Sequence, residues 1–254
     1  MSLQSAERGA AWVARDEREI VGIAAAHDSE EERYVGDLFV EPSYRGHGVA
    51  SELLSAAFEG GADLSRATLV DPSDPAGIAV ALRFNAAPRD TLLRFAGAMP
   101  RQEALANMAA GEYRFQVETI DAAEHGPWLN ELDHRARGTA RPGDHARFAR
   151  AACGNAFILN GEFVGYAYVW PDGRIGPLAC ASEAYLVQIF AYALVTLERS
   201  YSASWCTLVV PGSNRRVARA ALRADLRIEE VFLFASDGSV ADLSTYVAYH
   251  RLLL

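Results

Sequence analysis

The chain contains no lysine: its 24 basic residues are all arginine, and 33 acidic residues leave a net charge of −9. A biased composition accounts for the missing lysine. The acidic balance speaks against nucleic acid as a partner, because neutralising phosphates takes a basic surface. A neutral or cationic small molecule suits it better. There is no apolar run of the roughly 18 residues that spanning a bilayer takes, and the opening "MSLQSAERGA" has neither a basic start nor an apolar signal region. No membrane partner is expected, and the cytoplasm is the expected location. Cysteine is scarce: Cys153, Cys180 and Cys206 are an odd number without metal-type spacing, all in apolar surroundings. They are expected to be reduced, buried thiols, with no metal site.

What the chain does have is length and apolar content, 254 residues of which 50% are hydrophobic, enough for one large core or two ordinary ones. The pattern favours two. "AAWVAR" and "EIVGIAAAHD" around the polar "DERE" predict a hairpin, and "YVGDLFVE" a third strand. Val49, Leu53, Leu54 and Ala57 recur at helical spacing, with "EGGAD" closing that helix on glycine. "ATLVDP" is a β run. "DPAGIAVALRF" is a helix with Asp74 as N-cap and Pro75 in its first turn, and "DTLLRFAGAM" is a strand. The second half repeats this order behind an added strand "EYRFQVETI" and two short helices, "GPWLNELDHRA" and "GDHARFARAA". It continues with a hairpin turning at Asn160-Gly161, a third strand, the apolar helix "SEAYLVQIFAYALVTLERS", the strand "SWCTLVV", the helix "NRRVARAALRADL" and a closing pair of strands, "EEVFLFAS" with "YVAYHRLLL". The boundary is expected between Pro100 and Gly111, giving an α/β chain of two domains, residues 1–105 and 112–254.

The stretch "LFVEPSYRGHGVASELL", from Leu38 to Leu54, runs from a strand through glycines into an amphipathic helix. Two readings compete for Gly46 and Gly48. They supply the dihedrals of a tight turn, or they let the backbone approach a phosphate without Cβ atoms in the way. The helix start presents unpaired N–H groups and a partial positive charge, and Arg45 adds a fixed one, so an anion site follows naturally. A turn needs neither the arginine nor the immediate helix.

These residues resemble the acetyl-coenzyme A motif of the GNAT N-acetyltransferases, Arg or Gln, two residues, Gly, one residue, Gly or Ala: here Arg45, Gly46, His47, Gly48, Val49, Ala50. "DPAGIAVAL" is similar to the family's "NPxAIALY" helix, and the element order agrees over most of the first hundred residues. The resemblance implies two tandem GNAT-like acyl-CoA N-acyltransferase domains with mixed central sheets flanked by helices. It implies acetyl-CoA as cosubstrate, with Leu38, Phe39 and Val40 along the pantetheine arm, and Arg45, Gly46, His47, Gly48, Val49, Ala50 and Ser51 at the pyrophosphate. It further implies acetyl transfer to the amine of a small acceptor, by a monomer or a dimer.

Two departures stand out. Where many members carry a catalytic glutamate and tyrosine, this chain has Gly36 and Ala81, leaving Asp37, Glu41 and Asp71 as candidate catalytic carboxylates, each also readable as a solvated or capping group. A non-catalytic acetyl-CoA binding or sensing protein is the alternative. The first half also lacks the leading strand and helices, while the second has them but reads "RIGPLACASEAYLV" where the glycine loop should be. The second domain is therefore not expected to hold coenzyme A in the ordinary way. Asp133, His134, Arg137, Asp144 and His145 in its leading helices are expected either to complete an acceptor site or to form a solvated face.

Overall fold

The computed structural model describes residues 9–29, 31–59, 63–238 and 241–250. It divides into two compact units, one of residues up to Asp90 together with Phe232–Ser239, the other of Thr91–Val231 together with Val240–Leu252.

The first unit begins with strands β1 (Gly9–Asp16), β2 (Glu19–Asp28) and β3 (Glu32–Val40). The β1–β2 turn is tight, and Glu17 takes a left-handed φ of 49° to close it. A 3-10 turn at Pro42–Tyr44 leads to helix α1 (Val49–Glu59), then β4 (Ser65–Val70) and α2 (Pro75–Arg83). Strand β5 (Ala87–Ala98) starts in this unit and passes into the second. The expected cap of α2 is present, since Asp74 accepts a hydrogen bond from the Ala76 N–H at 3.1 Å and Pro75 occupies the first turn. Leu53, Leu54, Ala57 and Phe58 of α1 pack on Ala24, Ala26, Val35 and Val40; alternation puts Ala24 and Ala26 on one face of β2, while Val35 and Val40, five residues apart, share a face of β3 because its register shifts by one residue between them.

The second unit contains α3 (Gln102–Ala109), β6 (Gln116–Thr119), α4 (Ala122–Arg137), α5 (Asp144–Ala151), β7 (Cys153–Leu159), β8 (Glu162–Val169) and β9 (Arg174–Cys180). It continues with α6 (Leu186–Tyr201), β10 (Trp205–Pro211), α7 (Arg215–Arg223), β11 (Arg227–Ser236), a 3-10 turn at Leu243–Thr245 and β12 (Tyr246–Val247). At the β7–β8 hairpin Asn160 and Gly161 both have positive φ, 54° and 85°, as a two-residue turn between twisted strands requires. Helix α6 buries Leu186, Ile189, Phe190, Ala193, Leu194 and Leu197 in the core, a stripe at helical spacing.

Strand order in the first unit is β1-β2-β3-β4-β11, and in the second β5-β10-β9-β8-β7-β6 with β12 also pairing β9. Both sheets are mixed, the parallel pairs being β3–β4 and β9–β10. The end of β11 runs antiparallel to β4, Leu233 opposite Val70 and Ser236 opposite Ala67, and so completes the first unit. The end of β5 runs antiparallel to β10, Ala98 opposite Trp205 and Leu92 opposite Pro211, and completes the second.

The sequence expectation needs two corrections here. The chain leaves the first unit inside β5, and the expected boundary segment holds α3, because partner strands far along the chain decide where a compact unit ends. Among the described residues the expected closing pair does not form: β11 pairs β4 and the short β12 pairs β9, while residues 251–254 lie outside the described part. Likewise Gly60 and Gly61, expected to end α1, lie outside it. All three cysteines are free, with Cys180 and Cys206 buried. Among the described residues no helix is long and apolar enough to cross a membrane.

The two units repeat one register. In each, the parallel pair ends one residue before a glycine: Val35 opposite Thr68 precedes Gly36, and Ile175 opposite Leu208 precedes Gly176. In each, the strand after that glycine slips by one residue against its antiparallel neighbour. Asp74 and Asn214 cap the equivalent helices α2 and α7, and Asn85 and Asp225 follow them with the same φ of 62°.

Candidate functional site

Against β2, Asp37 lies opposite Ala25 and Val35 opposite Ala26, so Gly36 is an unpartnered bulge residue. At that bulge β3 parts from β4. Beyond it, Asp37–Val40 pair with β2, and Leu69 and Val70 pair with β11. Among the described residues no strand takes the facing edge of β3 after Val35. The result is a slot with a row of backbone N–H and C=O groups awaiting partners, which an extended occupant satisfies by adding as a strand. Leu38 is half-buried and Val40 buried against the α1 layer. Phe39 points to the other face and is 53% exposed.

The glycine turn stands at the end of this slot. Gly46 and Gly48 have φ of 83° and 87°, so both are required by the backbone alone. The same positions are open, since a Cβ at either would meet nothing within 4 Å. Gly48 O accepts from Glu52 N at 3.0 Å, which leaves the first amides of α1, at Val49, Ala50 and Ser51, without intrahelical acceptors. Arg45 is exposed, and its Nε donates to Val40 O at 3.1 Å, tying the guanidinium to the end of β3. His47 is exposed, with Nδ1 3.1 Å from Arg45 O. The turn is braced from below by Tyr44, whose hydroxyl donates to Asp16 at 2.7 Å, a contact the sequence reading missed because it joins residues 28 apart.

Asp37 lies within β3 just after the bulge, Glu41 follows the last residue of β3 and Asp71 the last of β4, and all three are exposed. Asp71 is engaged: its Oδ1 accepts from the Ser73 hydroxyl at 2.7 Å and the Ser73 N–H at 2.8 Å, and these bonds hold the carboxyl below its ordinary range. That is turn-capping geometry. Ala81 is buried beside Val70, Ala86 and Ala235. Gly36, which the sequence reading treated only as a missing glutamate, is the residue that opens the slot. The available signal was a glycine inside a strand pattern, which marks a bulge or a close approach.

The residues expected as acceptor contacts in the second domain separate. Asp133 and His145 are 0% and 1% exposed. Asp133 Oδ2 lies 2.7 Å from Arg141 Nε as an ion pair and 3.0 Å from His145 Nε2, while Oδ1 accepts from the Tyr166 hydroxyl. His145 Nδ1 is 3.2 Å from the Tyr168 hydroxyl. These two residues form an internal network and are not available to a ligand. The expectation failed because two helices rich in charge look solvated until their partners, Tyr166 and Tyr168 on β8, are placed. His134 is exposed, Asp144 pairs with Arg147 at 2.9 Å, and Arg137 donates to Thr139 O at 2.8 Å.

The stretch after β9 is Ala181–Tyr185, and α6 starts without a side-chain cap. Glu183 pairs there with Arg216 at 3.3 Å. A carboxylate near a helix start opposes a second anion.

Residues 7–82 match the family model described as "Acetyltransferase (GNAT) domain". No curated protein matches the chain. Among solved structures, a Pyrococcus horikoshii protein assigned as an acetyltransferase aligns with a TM-score of 0.68 at 17% identity, over 96% of this chain and 80% of that one. A GCN5-related N-acetyltransferase from Sphaerobacter thermophilus aligns with a TM-score of 0.63 at 15% identity, over 94% and 83%. A tandem GNAT protein from the clavulanic acid biosynthesis pathway aligns with a TM-score of 0.60 at 19% identity, over 92% and 85%. At these identities the likeness is one of fold.

Proposed function

We propose, for a chain whose residues 7–82 form a GNAT acetyltransferase domain within a two-domain GNAT fold, that the first domain binds acetyl-CoA and passes its acetyl group to the amine of a small acceptor. The single observation that supports this most is the slot opened at Gly36, with an unpaired strand edge along its length and the Arg45–Ser51 turn at its end. Its parts match the parts of the ligand. The edge at Leu38, Phe39 and Val40 offers hydrogen bonds to an amide-bearing arm, and the α1 amides with Arg45 offer a site for a pyrophosphate.

Acetyl-CoA supplies the activated thioester. Transfer breaks its C–S bond, forms a C–N bond to the acceptor amine, and leaves the amine proton to end on the thiolate. We assign Asp37, exposed beside the bulge where the slot opens, to take that proton, directly or through water, and to attract a cationic acceptor; Glu41, exposed four residues on, is a second candidate carboxylate nearer the glycine turn. Asp71 serves less well as a base, because Ser73 already holds its carboxylate. Positioning beside Gly36, where the slot opens, carries much of the rate.

Calorimetric titration with acetyl-CoA tests the binding half. The Arg45→Ala, Gly48→Glu double variant is expected to bind at least tenfold more weakly, as it removes one positive charge and sets a carboxylate at the helix start. Equal binding by that variant would remove the cofactor assignment. A second reading, binding without transfer, is favoured by the buried Ala81, the bulge role of Gly36 and the engaged Asp71. Thiol release over a panel of amines decides between them: binding with no release for any amine leaves the sensing protein.

A further inference from the structure

The second unit has the same slot, and in it something is already seated. After Ile175 opposite Leu208, β9 no longer pairs with β10. The opened edge of β9 is taken by β12, antiparallel, with Val247 opposite Leu178 and Tyr246 opposite Ala179. On the other side, the Ala248 N–H donates to Val209 O at 2.9 Å. By the shared register, Leu178 and Ala179 are the counterparts of Leu38 and Phe39, and Val209 that of Leu69. Residues 246–248 therefore bridge the two edges that stand apart in the first unit.

The seat is built for this occupant. Tyr246, Val247 and Ala248 are each 0% exposed. The Tyr246 carbonyl accepts from Asn214 Nδ2 at 2.8 Å, and Asn214 Oδ1 in turn accepts from Val217 N at 3.1 Å, capping α7. The Tyr246 hydroxyl accepts from Arg141, the same guanidinium that pairs with Asp133. Gly176, at φ 133°, admits the segment, since a Cβ there would stand 2.3 Å from Ala248 O. A phosphate would find no glycine turn at Ala181–Tyr185 and no free guanidinium in place of Arg45, since Arg216 is paired with Glu183 at 3.3 Å.

We infer that the second domain's slot is an internal peptide-binding site, permanently filled by the chain's own segment Thr245–Ala248. Each chain then takes one acyl-CoA, in the first domain, and none in the second. The count of one rests on the function proposed above; the filled slot does not.

Hydrogen exchange with calorimetry on the full chain separates the two. Amides of the peptide spanning Tyr246–Ala248 are expected to exchange on the order of a thousandfold more slowly than an unstructured peptide, as core strands do, and at the same rate with saturating acetyl-CoA. Calorimetry is expected to give one equivalent for the native chain and none for the Arg45→Ala, Gly48→Glu variant. Fast exchange at these amides, or exchange that speeds up when acetyl-CoA is added, would overturn the inference, the latter showing a displaceable occupant. A second equivalent, or one surviving in the variant, would overturn it too. A chain that binds no acetyl-CoA but keeps these amides protected sinks the first-domain assignment and supports the filled slot.

Discussion

Asp133 shows how far a single residue's role escapes the sequence. Burial pushes its carboxyl up, but Arg141 beside it, the His145 hydrogen bond and Arg137 outweigh that and hold it at about 2. A carboxyl lowered in the folded state contributes stability in full above the ordinary unfolded value near 4 and loses it as pH falls towards 2. Between pH 5 and pH 2 the native chain is therefore expected to lose about 2 kcal/mol more unfolding free energy than Asp133→Asn, read from urea melts along the pH series. Parallel curves would show that the carboxylate's charge is not what the network uses. Nothing local distinguishes Asp133 from its solvated neighbours, because its partners come from α5, β8 and the loop at Arg141. Asp74 is the opposite case. Its cap, followed by proline, is completed within two residues, and it was readable for that reason. Gly46 and Gly48 sit between these extremes: the sequence placed them at a helix start, while only the structure shows that the turn requires both.

Elements were legible when their partners lay next to them. The β1–β2 and β7–β8 hairpins, α1, α2, α6 and α7 follow from alternation, helical spacing and caps. Strands β11 and β12 did not follow, since a β run does not state which edge it will meet. One side chain decides how firmly the elements of the first unit hold together. Arg33 of β3 donates from Nε and NH2 to the two oxygens of Asp28 at the end of β2, both at 2.6 Å, and from NH1 to Ala57 O of α1 at 2.8 Å. Arg33 is 7% exposed, while the Asp28 side chain at 34% can rehydrate if left alone. Arg33→Ala is expected to destabilise the chain by roughly 2–3 kcal/mol, and Arg33→Lys to recover only part, lacking the planar fork. Chemical denaturation of the three proteins measures it, and a loss below about 0.5 kcal/mol for the alanine variant would mean that the contacts are dispensable.

At the scale of the molecule, neither unit is made from a contiguous stretch of chain. The first unit needs Leu233–Ser236 alongside β4, and the second, interrupted by that excursion, needs Tyr246 and Val247 alongside β9. A fragment of residues 1–105 would thus leave the β4 edge unpaired, and unpaired edges aggregate. Such a fragment is expected to be insoluble or unfolded by circular dichroism and gel filtration even though it carries the whole Arg45–Ser51 turn; a soluble, cooperatively folded fragment would contradict the shared-strand arrangement. The internal repeat could be read from element order, but the exchange of its last strands could not, because the same order arises whether each repeat keeps its final strand or gives it away.

The pairing of Leu233 with Val70 also sets a clock during synthesis. Translation at about 5–20 residues per second separates the emergence of these two partners by on the order of ten to thirty seconds. Through that interval the amino-terminal unit, although made first, waits with β4 unsatisfied on one side. Its completion waits for residues 233–236, so this chain depends on whatever shields a nascent edge on the ribosome for as long as β11 takes to emerge.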